Sequence, residues 1–148
     1  MDTERHPLQP FIPDGARLLM LGSFPPARNR WSIDFFYPNF QNDMWRIFGL
    51  VFFADKMHFV DGGARTFRLG EIVALLRDRG IAIYDTATEV RRTRNTASDK
   101  DLEVVTPTDL DALMSRMPAL ETVVTTGGKA TALLAAHFGI AKPGVGEC

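Results

Sequence analysis

Short unbroken apolar runs alternate along this chain with amphipathic stretches, and their order predicts the fold. Arg17-Leu-Leu-Met-Leu21, closed by Gly22, is apolar at successive positions, as a strand buried on both faces of a parallel sheet must be. Ile81-Ala-Ile-Tyr-Asp85 and Thr122-Val-Val-Thr-Thr126 read as two further strands. Met44 to Phe53 is apolar on nearly every side and predicts a buried helix, opened by a cap from Asn42 or Asp43. After a turn at Asp61-Gly62-Gly63, residues Leu69, Ile72, Val73, Leu75 and Leu76 mark one face of an amphipathic helix over Phe67 to Arg79, with Gly80 at its C-terminal cap. Pro107-Thr108 is expected to open a helix through Leu110, Leu113, Met114 and Met117, and Ala130 to Phe138, closed by Gly139, is the last. This order predicts parallel pairing with right-handed crossovers and helices on both faces: a three-layer α/β/α sandwich around a short parallel sheet. Ligands in such sheets sit at the carboxyl ends of strands, here Gly22-Ser23-Phe24, Tyr84-Asp85-Thr86 and Thr126-Gly127-Gly128-Lys129.

Two segments lack a period. Ser23 to Asn42 is a long stretch of Pro, Asn and aromatics, a composition that favours a functional loop over a disordered one. Arg91 to Lys100 reads as a basic, polar loop.

Length and composition narrow the classes. At 148 residues and 45% hydrophobic, the chain is expected to form one soluble domain over residues 1–148. The net charge of −1 gives no global field to draw it onto a polyanion, so any nucleic-acid contact is local. A lone Cys148 excludes an internal disulfide framework and a cysteine-rich zinc site, and fits a reducing cytoplasm. No apolar run has the length of a membrane span, and Met1 to Phe11 lacks the pattern of a signal sequence, so a cytoplasmic protein with no membrane partner is expected. His6, His58 and His137 are scattered without metal-ligand spacing, which predicts no metal. Ser23 lacks a nucleophile-elbow context, and Gly127-Gly128-Lys129 lacks the full spacing of a triphosphate loop.

The candidate chemistry therefore lies in a few places, each with a plainer reading beside it. Gly22-Ser-Phe-Pro-Pro26 leaves a strand and is stiffened by two prolines, so its backbone N–H groups can approach a ligand, or it is an ordinary rigid turn. Phe35-Phe-Tyr-Pro-Asn-Phe-Gln-Asn-Asp-Met-Trp45 offers π-faces beside amides, which is what holding a nucleobase requires, although Phe35, Phe36, Phe40 and Trp45 also suit a core and Asn42 a helix cap. Asp85 can read a ligand edge or act as a general base, or serve as a turn residue. Arg91-Arg92-Thr93-Arg94, with Arg28 and Arg30, can rim a site and touch phosphates or form a solvated face; Lys129 can reach a phosphate from a helix N-terminus or stay in water.

Together, Leu21-Gly-Ser-Phe-Pro-Pro26, Phe36-Tyr-Pro-Asn-Phe-Gln-Asn-Asp-Met-Trp45, Gly80-Ile-Ala-Ile-Tyr-Asp85 and Thr126-Gly-Gly-Lys-Ala130 resemble, in order and spacing, the uracil-DNA glycosylase superfamily, nearest to its hypoxanthine-DNA glycosylase branch. The resemblance implies a DNA glycosylase that hydrolyses the N-glycosidic bond of a flipped, deaminated base in base excision repair, with no cofactor and as a monomer. It implies that backbone groups of Gly22, Ser23, Phe24 and Pro25 face the base and that Tyr37 stacks on it. Asn42 becomes the leading catalytic candidate, orienting the water or the base, and Asp85 stands where many relatives have a base-reading Asn. Arg28, Arg30, Arg91, Arg92 and Lys129 are the expected DNA contacts. The pattern also departs from the superfamily. Phe24 replaces the water-activating Asp or Asn of uracil-specific members, Asn39-Phe40 replaces a His-Pro, Thr126 replaces an Asn, and a further strand with its loop is implied beyond Cys148. A phenyl ring can neither polarise water nor take its proton, so weak uracil excision is expected, and a non-catalytic binder of nucleobase or nucleic acid is the alternative. A small-molecule enzyme on a similar sheet is a third possibility.

Overall fold

The apolar run at Leu18 becomes the middle strand of a parallel sheet. The computed structural model describes residues 2–94, 101–144 and 146–147. Contacts gather into two units, one from Met1–Phe24 and Gly80–Cys148, the other Pro25–Arg79.

In the first unit, strands run at Thr3–Arg5 (β1), Leu18–Gly22 (β2), Ile81–Asp85 (β5), Ala87–Arg92 (β6), Leu102–Pro107 (β7) and Thr122–Thr125 (β8), with helices at Leu110–Ser115 (α3) and Gly128–Phe138 (α4). The second unit holds β3 (Val60–Asp61), β4 (Thr66–Phe67), α1 (Met44–Phe53) and α2 (Leu69–Arg79). The parallel sheet has the order β5-β2-β8, and its register sets Gly22 beside Asp85 and Leu21 beside Tyr84 and Thr125. Every residue of β5 is buried although it has one strand neighbour, because Phe11 covers its other side by exchanging both backbone hydrogen bonds with Ile83.

A second sheet, antiparallel with order β1-β6-β7, was not expected from the sequence. Arg91 and Arg92 lie in β6, a strand where a loop is predicted; the rest of that expected loop, residues 95–100, lies outside the described residues. The strand forms because its charges are satisfied across the sheet: Arg92 Nε donates to Glu4 at 2.7 Å and Arg91 Nη1 to Glu103 at 3.1 Å. Glu89 accepts from the Thr3 and Thr106 hydroxyls, which hold its carboxyl below the usual range. Ala87, Val90 and Leu102 turn inward to Phe24 and form an apolar cluster with it.

The expected helix start at Pro107 is also corrected. Pro107 ends β7, and α3 begins at Leu110 with Asp109 as its cap, accepting from the Ala112 N–H at 3.0 Å. The intervening Thr108 instead clamps the tip of β5, donating its N–H to the Thr86 carbonyl at 2.9 Å and its hydroxyl to the Asp85 carbonyl at 2.7 Å. At the far end, α4 closes on Gly139 at φ 65°, with Ile140 N–H returned to the Ala135 carbonyl.

The second unit is built on aromatics. Trp45 is fully buried, donates Nε1–H to the Phe36 carbonyl at 3.1 Å, and meets the rings of Phe35, Tyr37 and Phe48. The irregular stretch before it is riveted by polar contacts: Trp31 Nε1–H to the Pro26 carbonyl, the N–H and hydroxyl of Ser32 to the Pro38 carbonyl, and the Thr66 hydroxyl to the Ser32 carbonyl. Helix α1 matches its expected span but not its expected burial. Trp45, Phe48 and Gly49 are buried, whereas Leu50 is 58% and Val51 69% exposed, because a unit of this size covers only one side of a helix. The helix ends on Ala54 in the left-handed region at φ 54°, where a Cβ crowds the following carbonyl. Ala54→Gly is expected to raise stability by about 0.5–1 kcal/mol in urea unfolding. An unchanged or lowered midpoint would contradict that account.

Candidate active site at the strand tips

Two adjacent parallel strands end together at Gly22 and Asp85, and the chain leaving them is held closely. Thr86 N–H donates to the Gly22 carbonyl at 2.8 Å, and Ser23 and Phe24 continue buried from Gly22. On the other side of β2, Thr126 N–H donates to the Leu21 carbonyl at 3.0 Å, so the third predicted tip adjoins the first. Gly22, Ser23, Phe24, Asp85 and Thr126 thus share one unit, with Lys129 in the first turn of α4, half-buried.

The buried Asp85 carboxylate has a partner that sequence reading passed over. His6, just beyond β1, brings Nε2 to 2.6 Å from Asp85 Oδ2, and the two side chains are only 2% and 8% exposed. The Leu8 backbone N–H donates to His6 Nδ1 at 3.1 Å. A nitrogen that accepts from an amide carries no proton, so the ring is neutral and its proton sits on Nε2, donated to the carboxylate. The contact is therefore a charge-assisted hydrogen bond, not an ion pair, and one negative charge remains on Asp85. The imidazole is packed between Phe24, edge-on at 5.1 Å, and Tyr84 at 4.8 Å. Burial, and then the Asp85 charge, push the Tyr84 phenol up. Beside these groups Thr86 Oγ1 is buried with no hydrogen-bond partner among the described residues, an uncommon cost in a folded chain.

Phe24, expected among the base-contacting residues, has its ring committed to the cluster of Ala87, Val90 and Leu102, so its backbone is what it can present. Arg92, expected as a phosphate contact, is 11% exposed, paired with Glu4 and set over the Phe24 ring at 5.8 Å. Arg91 is paired with Glu103.

Pro25, Tyr37, Asn42, Arg28 and Arg30 belong to the second unit. Tyr37 is half-buried against Trp45 and takes φ 50° immediately before Pro38, a backbone that costs about 1–3 kcal/mol and persists only where neighbours impose it. Asn42 is exposed, and its Oδ1 accepts from the Met44 N–H at 2.9 Å, so it caps α1, while Asp43 makes no side-chain cap. Arg28 lies on the Trp31 ring at 4.2 Å and pairs with Asp34; Arg30 is exposed.

Asp85 and Gly22 stand at the strand ends where the sequence places them, because a polar residue or glycine ends each apolar run. Sequence signals missed His6, which lies in a Pro-punctuated lead-in, and Thr108, whose anchoring role depends on a partner 23 residues away.

No protein-family model and no curated protein matches the sequence. Among solved structures, the solution NMR structure of "a putative Uracil DNA glycosylase from Methanosarcina acetivorans" is similar, at 19% identity and a TM-score of 0.64, over 94% of this chain and 80% of that one. The chain thus has a mixed α/β fold with a parallel sheet and helices, of the uracil-DNA glycosylase type.

Proposed function

We propose that this protein is a DNA N-glycosylase that removes a flipped, deaminated base, with hypoxanthine as the leading substrate. The observation that carries the reading is the buried carboxylate of Asp85, level with Gly22 at the carboxyl ends of two parallel strands, in a fold like that of the similar structure. In the reaction the C1′–N bond breaks, the base departs with the electron pair, and a water oxygen bonds to C1′ while its proton passes to the departing base. Oriented dipoles that meet the charge on the leaving base accelerate this step. Asp85 accepts an N–H of the base edge, and backbone groups of Gly22, Ser23 and Phe24 line the base. In the second unit, Asn42 and Tyr37 remain the candidates that the resemblance gives for handling a water and for stacking, Asn42 with the second lone pair of Oδ1 and its amide N–H groups. Arg28, Arg30, Arg91 and Lys129 supply phosphate contacts.

A second reading, a binder of nucleobase or nucleic acid without chemistry, is favoured by one pair of observations. The ring at Phe24 is packed in the core where a water-activating group would stand, and Asn42 is already engaged as a cap. The two readings separate when the chain is incubated with duplexes carrying hypoxanthine, uracil or xanthine and abasic sites are cleaved with alkali. Hypoxanthine is expected to give product, falling by about 10²-fold or more in Asp85→Ala and in Asn42→Ala. Retained binding with no product from any duplex would leave the binder.

A further inference from the structure

We propose that His6 is the positioning residue of Asp85, holding its carboxylate as an acceptor and so restricting the strand tip to ring edges that present an N–H. The identity of the ligand as a nucleobase rests on the glycosylase reading; the positioning does not. Three observations carry it. His6 has both nitrogens assigned, Nδ1 to the Leu8 N–H and Nε2–H to Asp85 Oδ2, so it has one tautomer and one orientation. Its ring is held between Phe24 and Tyr84, so the donor is fixed. Asp85 is fixed from the backbone as well, through the Thr108 hydroxyl on its carbonyl and its register with Gly22. A carboxylate with one oxygen pinned by an N–H has only acceptor sites left to offer, and a ring nitrogen bearing a lone pair is repelled there. Hypoxanthine, with a proton on N1, satisfies such a group; unsubstituted purine, with a lone pair on N1 and no exocyclic amine, does not.

In Asp85→Asn the His6 Nε2–H demands an acceptor, so the amide oxygen must take the Oδ2 position and the amide N–H2 the other. The tip then presents a donor, and the preferred edge inverts. If His6→Phe is added, the amide is released to either orientation and the preference collapses. Phenyl suits a site already bounded by two aromatic rings.

Two measurements test this. Long-range ¹⁵N–¹H correlation of the histidine rings is expected to show a protonated Nε2 and an unprotonated Nδ1 for His6, with the Nε2–H signal moved upfield in Asp85→Ala. A proton on Nδ1, or on both nitrogens at neutral pH, would overturn the positioning role whatever the protein does to DNA. Binding is then measured with duplexes carrying one hypoxanthine or one unsubstituted purine on a 2′-fluorinated sugar, which resists cleavage. Wild type is expected to favour hypoxanthine by about tenfold or more, Asp85→Asn to favour purine, and the His6→Phe, Asp85→Asn pair to distinguish neither. His6→Gln, whose amide N–H reaches where Nε2 does, is expected to keep the wild-type preference, which a purely structural role for the imidazole would not explain. An Asp85→Asn preference that does not depend on His6 would sink the inference. Equal binding of both duplexes by wild type would sink its recognition half, and absent excision with intact selectivity would sink only the glycosylase reading.

Discussion

Trp45→Ala is expected to lower the unfolding free energy by about 3–5 kcal/mol, read as a shift of the urea midpoint. Trp45 is the point at which the second unit's aromatics meet, touching Phe35, Tyr37 and Phe48 while its indole N–H satisfies the Phe36 carbonyl. Truncation empties that space and leaves the carbonyl without its donor, so the cavity and hydrogen-bond losses fall together. Trp45→Phe keeps most of the volume and forfeits the hydrogen bond, so it should cost about 1–3 kcal/mol. The ordering bears on the proposed stacking role of Tyr37, which leans on the indole in a strained backbone conformation. A loss of the proposed excision in Trp45→Ala would accordingly report folding of this segment, and a midpoint within experimental error of wild type would refute the core role.

Gly49→Ala runs against the usual rule. In an ordinary helix interior this change stabilises by about 0.5–1 kcal/mol, because glycine loses more backbone entropy on folding. Here the added Cβ would run into the Asp55 carbonyl oxygen, a backbone atom that cannot swing aside like a side chain. The same turn returns Asp55 N–H to the Gly49 carbonyl, so the clash strikes the closure of α1 itself. A net loss of about 1–3 kcal/mol is expected in urea unfolding, and a gain would show that the chain after α1 lies elsewhere.

Much of the fold was legible where burial is simple. Leu18–Gly22 and Ile81–Asp85 are apolar runs ended by a glycine and an acid, and Gly139 sits where a left-handed residue ends a helix. The second sheet was hidden because β6 alternates imperfectly: bulges fall around Glu89, and Arg91 and Arg92 resemble a loop until Glu4 and Glu103 are found opposite them. Strand pairing of this kind is a property of partners, and single-strand periodicity cannot express it. Of the site, Asp85 was legible from its place at a strand end, whereas a capping role for Asn42 was one of two readings and is the one its side chain makes. The exposed side of α1 was misjudged because periodicity counts apolar positions and cannot count available neighbours.

The hydrogen bond between His6 and Asp85 joins residues 79 apart in sequence. The contact needs the tip of β5 already set beside Gly22, so we expect it late in the folding reaction, after β2 and β5 have paired. Until then the acid at the end of β5 is an unordered charge. Removing the histidine should therefore hasten unfolding far more than it slows folding, and the chain's opening residues act as the latch that sets the strand tip last.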